Sequence, residues 1–202
     1  MAGRPRNYEP NDVLSAAIRT FRRYGYAAAS VDVLSKATGL RRGSLYAAFA
    51  DKRGLFLAAL ADYTRATVGH VERTLATAAD PVAGIETVLR RVARVAAEGE
   101  GRHGCFLTNT AAEMAGRDPE VREVVAAAFR RLEAAYETAV ERARGAGRLG
   151  DDVDSSVLAR MLVGVMQGIR VVGTTGAPEP ALQQIVDGAL RALGPAKEGV
   201  PA

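Results

Sequence analysis

The stretch from Ser30 to Phe49, reading SVDVLSKATGLRRGSLYAAF, constrains the fold of this chain more than any other feature. Its apolar residues recur at helical intervals, which predicts two short helices, about 31–38 and about 41–49. Ser30 is a natural N-cap for the first, and Gly39 a natural terminator. The two meet at Thr38-Gly39-Leu40, the tight turn of a helix-turn-helix. On the second helix Leu45 and Phe49 lie four apart and face a core. Arg42 and Tyr46, four apart, and Arg41 and Ser44, three apart, lie on the faces left outside. Arginines, a hydroxyl and a phenol on a short exposed helix are the groups that reach guanine edges, phosphates and thymine methyls in a major groove. Ser30 and Lys52 flank this helix, and either could hold a phosphate, one through helix N–H groups and the other through its ammonium. Gly43 costs about 1 kcal/mol against alanine; close approach to a DNA backbone could account for it, and so could simple drift. A helical hairpin packed inside a larger domain would not need so basic and polar an outer face.

The rest of the chain also reads as helix, so the fold class is all-α with about nine helices. The first is expected over about 11–24, closed by Gly25, with Val13, Leu14, Ala17, Ile18 and Phe21 as its stripe. A long fourth helix runs from near Asp51 towards Thr77. Asp80-Pro81 and Asp118-Pro119 are helix starts, and further helices open near Gly104, at Asp154-Ser155 and at Pro178. The expected organisation is a DNA-binding domain over 1–54, a helical domain over 55–195 and a tail over 196–202.

Charge is distributed unevenly. Of 27 basic and 23 acidic residues, residues 1–54 hold ten basic and four acidic ones, so the remainder is net negative. Polyanion binding is therefore expected at the N-terminal quarter. A non-specific architectural DNA protein would need basic charge spread more widely. Cys105 is the single cysteine, which excludes an internal disulfide and a multi-cysteine metal site. No glycine-rich phosphate loop, metal-ligand cluster or nucleophile elbow appears, so neither catalytic residues nor a cofactor is expected. No apolar run is read as long enough for a membrane span, and residues 1–10 lack the apolar stretch of a signal peptide. A cytoplasmic protein is the expectation.

The opening GRPR, the run FRRYGYAAASVDVLSKATGL and above all GSLYAAFADKRGLF resemble the DNA-binding domain of the TetR family of bacterial transcriptional regulators. The resemblance covers residues 3 to about 63; beyond it, GCFLTNTAAEM and QGIRVVG are weaker local matches. It implies that Arg41, Arg42, Ser44 and Tyr46 lie on the recognition helix, with Gly43 among them, and that Lys52 meets the DNA backbone. Arg4 and Arg6 form a basic arm that could reach a minor groove or a phosphate, though a plain tail fits as well.

One helix-turn-helix binds DNA weakly, so two copies on the half-sites of a pseudo-palindromic operator are expected. The expected homodimer surface is the last two helices, through Leu158, Met161, Leu162, Val165, Gly168, Ile169, Leu182, Ile185, Val186 and Leu190. Gly164 and Gly168, each costing about 1 kcal/mol of helix stability, fit a close approach of two backbones; packing in the monomer core is the alternative. In the resembled family a small effector bound by the middle helices changes the separation of the recognition helices and releases DNA. Candidate effector-binding residues are Cys105, Phe106, Asn109, Glu113, Phe129, Tyr136, Gln167 and Arg170. Cys105 follows Arg102-His103-Gly104 at a helix start, where positive charge favours a reactive thiolate. A thiol-reactive signal is thus one expected effector, and a buried apolar side chain is the other reading. A repressor is expected, with an activator of the same fold or a small thiol-dependent enzyme as alternatives.

Overall fold

The computed structural model describes residues 9–150 and 154–194. Arg4, Arg6 and the expected tail over 196–202 lie outside the described residues. Within them every regular element is helical, as expected: α1 (Pro10–Ala28), α2 (Val31–Thr38), α3 (Arg42–Phe49), α4 (Lys52–Thr77), α5 (Pro81–Ala97), α6 (Phe106–Met114), α7 (Pro119–Gly145), α8 (Ser155–Gly173) and α9 (Glu179–Ala192). A 3-10 turn, Gly99–His103, precedes α6. Contacts gather the chain into two compact units, the first holding residues up to Arg65 with Phe106–Val125, the second the remainder.

In the first unit α1 packs on α2 and on α6. Val13, Ala17 and Phe21 are buried along the stripe that the sequence shows. Gly25 breaks α1 with φ 75° and ψ 173°, a backbone state essentially reserved to glycine, and one further turn follows to Ala28. The core then closes through rings. Phe21 meets Phe56 edge-on at 5.1 Å between centroids and stacks on Phe106 at 6.0 Å, and Tyr63 meets Phe106 at 5.7 Å. Each such pair adds about 0.5–1.5 kcal/mol beyond area burial.

In the second unit α5, α8 and α9 pack on one another. Asp80 caps α5 by accepting from the N–H groups of Val82 and Ala83, with Pro81 in the first turn. Ile85 and Leu89 of α5, Leu162, Met166 and Ile169 of α8, and Leu182 and Val186 of α9 are fully buried. Arg142 closes the end of α4, donating to the carbonyl oxygens of Leu75, Ala76 and Ala78 at 2.9, 3.2 and 2.8 Å. One expectation needs correction. Helix α8 is 19 residues long with a mean hydropathy of 1.3, which by length and composition alone suffices to cross a bilayer. Its apolar content has another cause: one face is core against α5 and α9, while Arg160 and Arg170 interrupt it.

Candidate nucleic-acid interface

The helix-turn-helix forms as its local signals require. Ser30 accepts from the N–H of Val33 at 3.2 Å, and Gly39 ends α2 in the left-handed conformation with φ 71°. Arg41 is the N-cap of α3, and Leu45 is buried at 4% exposure while Phe49 is half-buried. Arg41, Arg42, Gly43 and Ser44, at the N-terminal end of α3, are exposed, and Tyr46 is 40% exposed. Nothing lies within 4 Å of where a Cβ on Gly43 would stand. Ser30 is exposed as well.

Lys52 is engaged internally. Its Nζ donates to the carbonyl oxygen of Ala27 at 3.3 Å and lies 4.5 Å from the centre of the Tyr26 ring. An ammonium has three donors, so this engagement leaves capacity for a phosphate. Sequence reasoning passed over Tyr24, which is 47% exposed with the Arg23 guanidinium 5.3 Å from its ring centre.

Residues far along the chain hold this unit together. The Glu113 carboxylate of α6 accepts from the N–H groups of Tyr26 at 2.8 Å and Ala27 at 2.9 Å, and Asn109 donates to the carbonyl oxygen of Arg22 at 3.5 Å. Arg53 donates to both carboxylate oxygens of Asp118 and, at 2.5 Å, to Glu120. Asp118 also caps α7, accepting from the N–H groups of Glu120 and Val121. The Arg53 guanidinium, followed by these N–H groups, holds the Asp118 carboxyl below the ordinary carboxylate range.

The eight expected effector residues fall into separate groups. Phe106, Asn109 and Glu113 belong to the first unit, and Phe129 is half-buried on α7. Cys105, Tyr136, Gln167 and Arg170 come together in the second unit. Arg170 Nη1 donates to Cys105 Sγ at 3.2 Å and to Gln167 Oε1 at 3.1 Å. Cys105 is 2% exposed. Tyr136 is fully buried with its hydroxyl 3.7 Å from Met166 Sδ; burial pushes its phenol pKa up, and the Arg170 charge opposes that. A shallow groove of about 440 Å³ between α4 and α7, bounded by Glu72, Arg131 and Arg142, contains none of the eight.

The ten residues expected at the dimer surface also divide. Leu158, Leu162, Ile169, Leu182 and Val186 are buried within the protomer. Met161, Val165, Ile185 and Leu190 are half-buried and Gly168 is exposed. Val157 and Val172 of α8 are 51% and 39% exposed, and nothing lies within 4 Å of a Cβ on Gly164, Gly168 or Gly188. An apolar, glycine-bearing face is therefore left on the outside of α8 and α9.

Two family models match the chain: residues 13–59 match "Bacterial regulatory proteins, tetR family", and residues 81–185 match "Tetracyclin repressor-like, C-terminal domain". The uncharacterized HTH-type transcriptional regulator YezE of Bacillus subtilis (strain 168) is 30% identical over 95% of this chain and 99% of its own length. The HTH-type transcriptional repressor ComR of Escherichia coli (strain K12) is 25% identical over 94% of this chain and 90% of its own. Among solved structures, a cysteine-substituted TetR family transcriptional regulator, CifR, complexed with 26-bp double-strand operator DNA, superposes with a TM-score of 0.84. It is 30% identical and covers 94% of this chain and 99% of that one.

Proposed function

This chain belongs to the TetR family of DNA-binding transcriptional regulators, and from that premise we propose that it is a cytoplasmic, homodimeric repressor released from a pseudo-palindromic operator by a small molecule. The observation that carries the DNA-binding part is the outer face of α3, where Arg41, Arg42, Gly43, Ser44 and Tyr46 are all exposed over the buried Leu45. Arg41, Arg42 and Ser44 read base edges. Tyr46, Lys52 and the N–H groups behind Ser30 fix position on phosphates. The homodimer reading is supported by the outer face of α8 and α9, where Met161, Val165, Gly168, Ile185 and Leu190 would meet their copies in a four-helix arrangement.

The effector reading is supported by the Cys105, Gln167, Arg170 and Tyr136 cluster. Arg170 against the sulfur favours electrophilic attack there, and because Cys105 is 2% exposed the reaction requires the surrounding helices to open. CifR was crystallised with cysteines replaced. An effector releases DNA only if its affinity differs between the two separations of the recognition helices.

Footprinting of the purified protein on DNA around its own gene, at two salt concentrations, tests the reading. The expected result is a two-fold-symmetric protected site whose affinity falls as salt rises. A thiol-reactive electrophile is expected to remove the protection with the parent protein and leave it in place with Cys105→Ser. Failure to select any site from random-sequence DNA would overturn the operator reading. Equal responses of parent and Cys105→Ser would remove the thiol from it.

A further inference from the structure

We propose that Glu113 is a positioning residue for DNA recognition: its carboxylate clamps the break between α1 and α2 and so fixes the helix-turn-helix in its operator-binding orientation. The inference rests on the operator-binding reading above.

The break itself creates the opportunity. Because Gly25 leaves helical geometry, the regular N–H to carbonyl ladder of α1 is interrupted there, and backbone groups next to such a break are free to pair with side chains. Helix α6 supplies two from one face. Asn109 and Glu113 lie four apart, so both side chains point the same way. Asn109 donates to the Arg22 carbonyl ahead of the break, and Glu113 accepts from the consecutive N–H groups of Tyr26 and Ala27 behind it. Both carboxylate oxygens are used, one for each N–H, and hydrogen bonds to a charged acceptor are roughly twice as strong as neutral ones.

From the other side, Lys52 donates to the Ala27 carbonyl and covers the Tyr26 ring. The short segment before Ser30, which opens α2, is thus gripped by a carboxylate from α6 and an ammonium from α4. Its conformation sets the angle at which α2, and with it α3, leaves α1. Three hydrogen-bonding side chains on residues 22–27 make a discrete grip with a defined geometry.

Full-length parent, Glu113→Ala and Glu113→Gln proteins would be compared by amide hydrogen exchange of the segment 24–29 and by affinity for operator and for random-sequence DNA. For Glu113→Ala the expected results are fast exchange at Tyr26 and Ala27, a loss of operator affinity of about tenfold or more, and random-sequence affinity within about twofold of parent. Glu113→Gln keeps one acceptor oxygen and is expected to fall between the two. That graded loss of specific over non-specific binding separates positioning from mere stability, which would lower the melting temperature and leave the ratio alone. Unchanged exchange at Tyr26 and Ala27, or unchanged operator affinity in both variants, overturns the proposal. Should Glu113→Ala fail to fold, Glu113→Gln decides. A parent that binds no operator would count against the regulator reading, while the exchange measurement would still judge the clamp.

Discussion

A Cβ placed on Gly54 would stand 2.0 Å from the carbonyl oxygen of Phe49. The last residue of α3 and the first turn of α4 approach so closely that residue 54 has no room for a side chain. Asp51 completes the corner by accepting from the Gly54 N–H at 2.7 Å, while Ala50 takes a positive φ of 66°. The GSLYAAFADKRGLF stretch thus encodes the angle at which α3 is held as well as its surface.

Gly54→Ala is expected to destabilise the protein by about 3 kcal/mol, at the upper end for overpacking because the obstacle is backbone. Urea unfolding measures it. A loss below about 0.5 kcal/mol would mean that the corner gives way easily.

Arg42→Ala is expected to lower affinity by about 1–3 kcal/mol and to relax preference at one base pair. Lys52→Ala is expected to flatten the salt dependence and to weaken binding to the operator and its single-base variants alike, by more than on random-sequence DNA because Lys52 also grips the Ala27 carbonyl. Binding titrations on a panel of single-base operator variants separate the two. Parallel losses on every variant would contradict this division of labour.

Gly168→Arg places a charge on the outer face of α8, where a Cβ would meet nothing within 4 Å beyond its own stretch of helix. The expected outcome is a folded monomer in sedimentation velocity, with operator affinity largely lost, because one half-site supports little binding. A variant that remains dimeric would move the interface elsewhere.

Acid stability is expected to depend on Asp118. Its folded-state pKa lies below the ordinary 3.8 because Arg53 and two backbone N–H groups favour the carboxylate. The unfolded chain therefore takes up the proton first as pH falls. The stabilisation is present above pH 3.8 and is lost as pH drops through the lower folded value. In urea titrations at several pH values, Asp118→Asn is expected to be less stable than parent at pH 7, with the gap closing below about pH 4. A gap independent of pH would assign the loss to packing.

Much of the fold was open to reading because it is local. Cap residues such as Ser30 and Asp80, stops such as Gly39, and the three- and four-residue spacing of Val13, Ala17 and Phe21 act within a turn or two of backbone. The α3 surface is local as well: Arg41, Arg42 and Ser44 crowd the N-terminal end of a short helix whose buried apolar residue, Leu45, comes later, and all three are exposed. The placement of Glu113, Asp118 and Arg170 is different in kind. Periodicity marks a polar residue among apolar ones but carries no information about its partner. For Glu113 that partner is a backbone break 86 residues away from its nearest N–H, at Ala27. For Arg170 it is a sulfur 65 residues away. The apolar faces of α8 and α9 show the same limit, since Leu162 and Val165 look alike in sequence while one is fully buried and the other partly open. Helices, their ends and the chemistry of the recognition surface were thus determined by short-range backbone physics written into the sequence. Which carboxylate grips which break, which guanidinium meets the sulfur, and which valines stay outside were decided by tertiary packing, because only the assembled core sets the distances on which hydrogen bonds and burial depend.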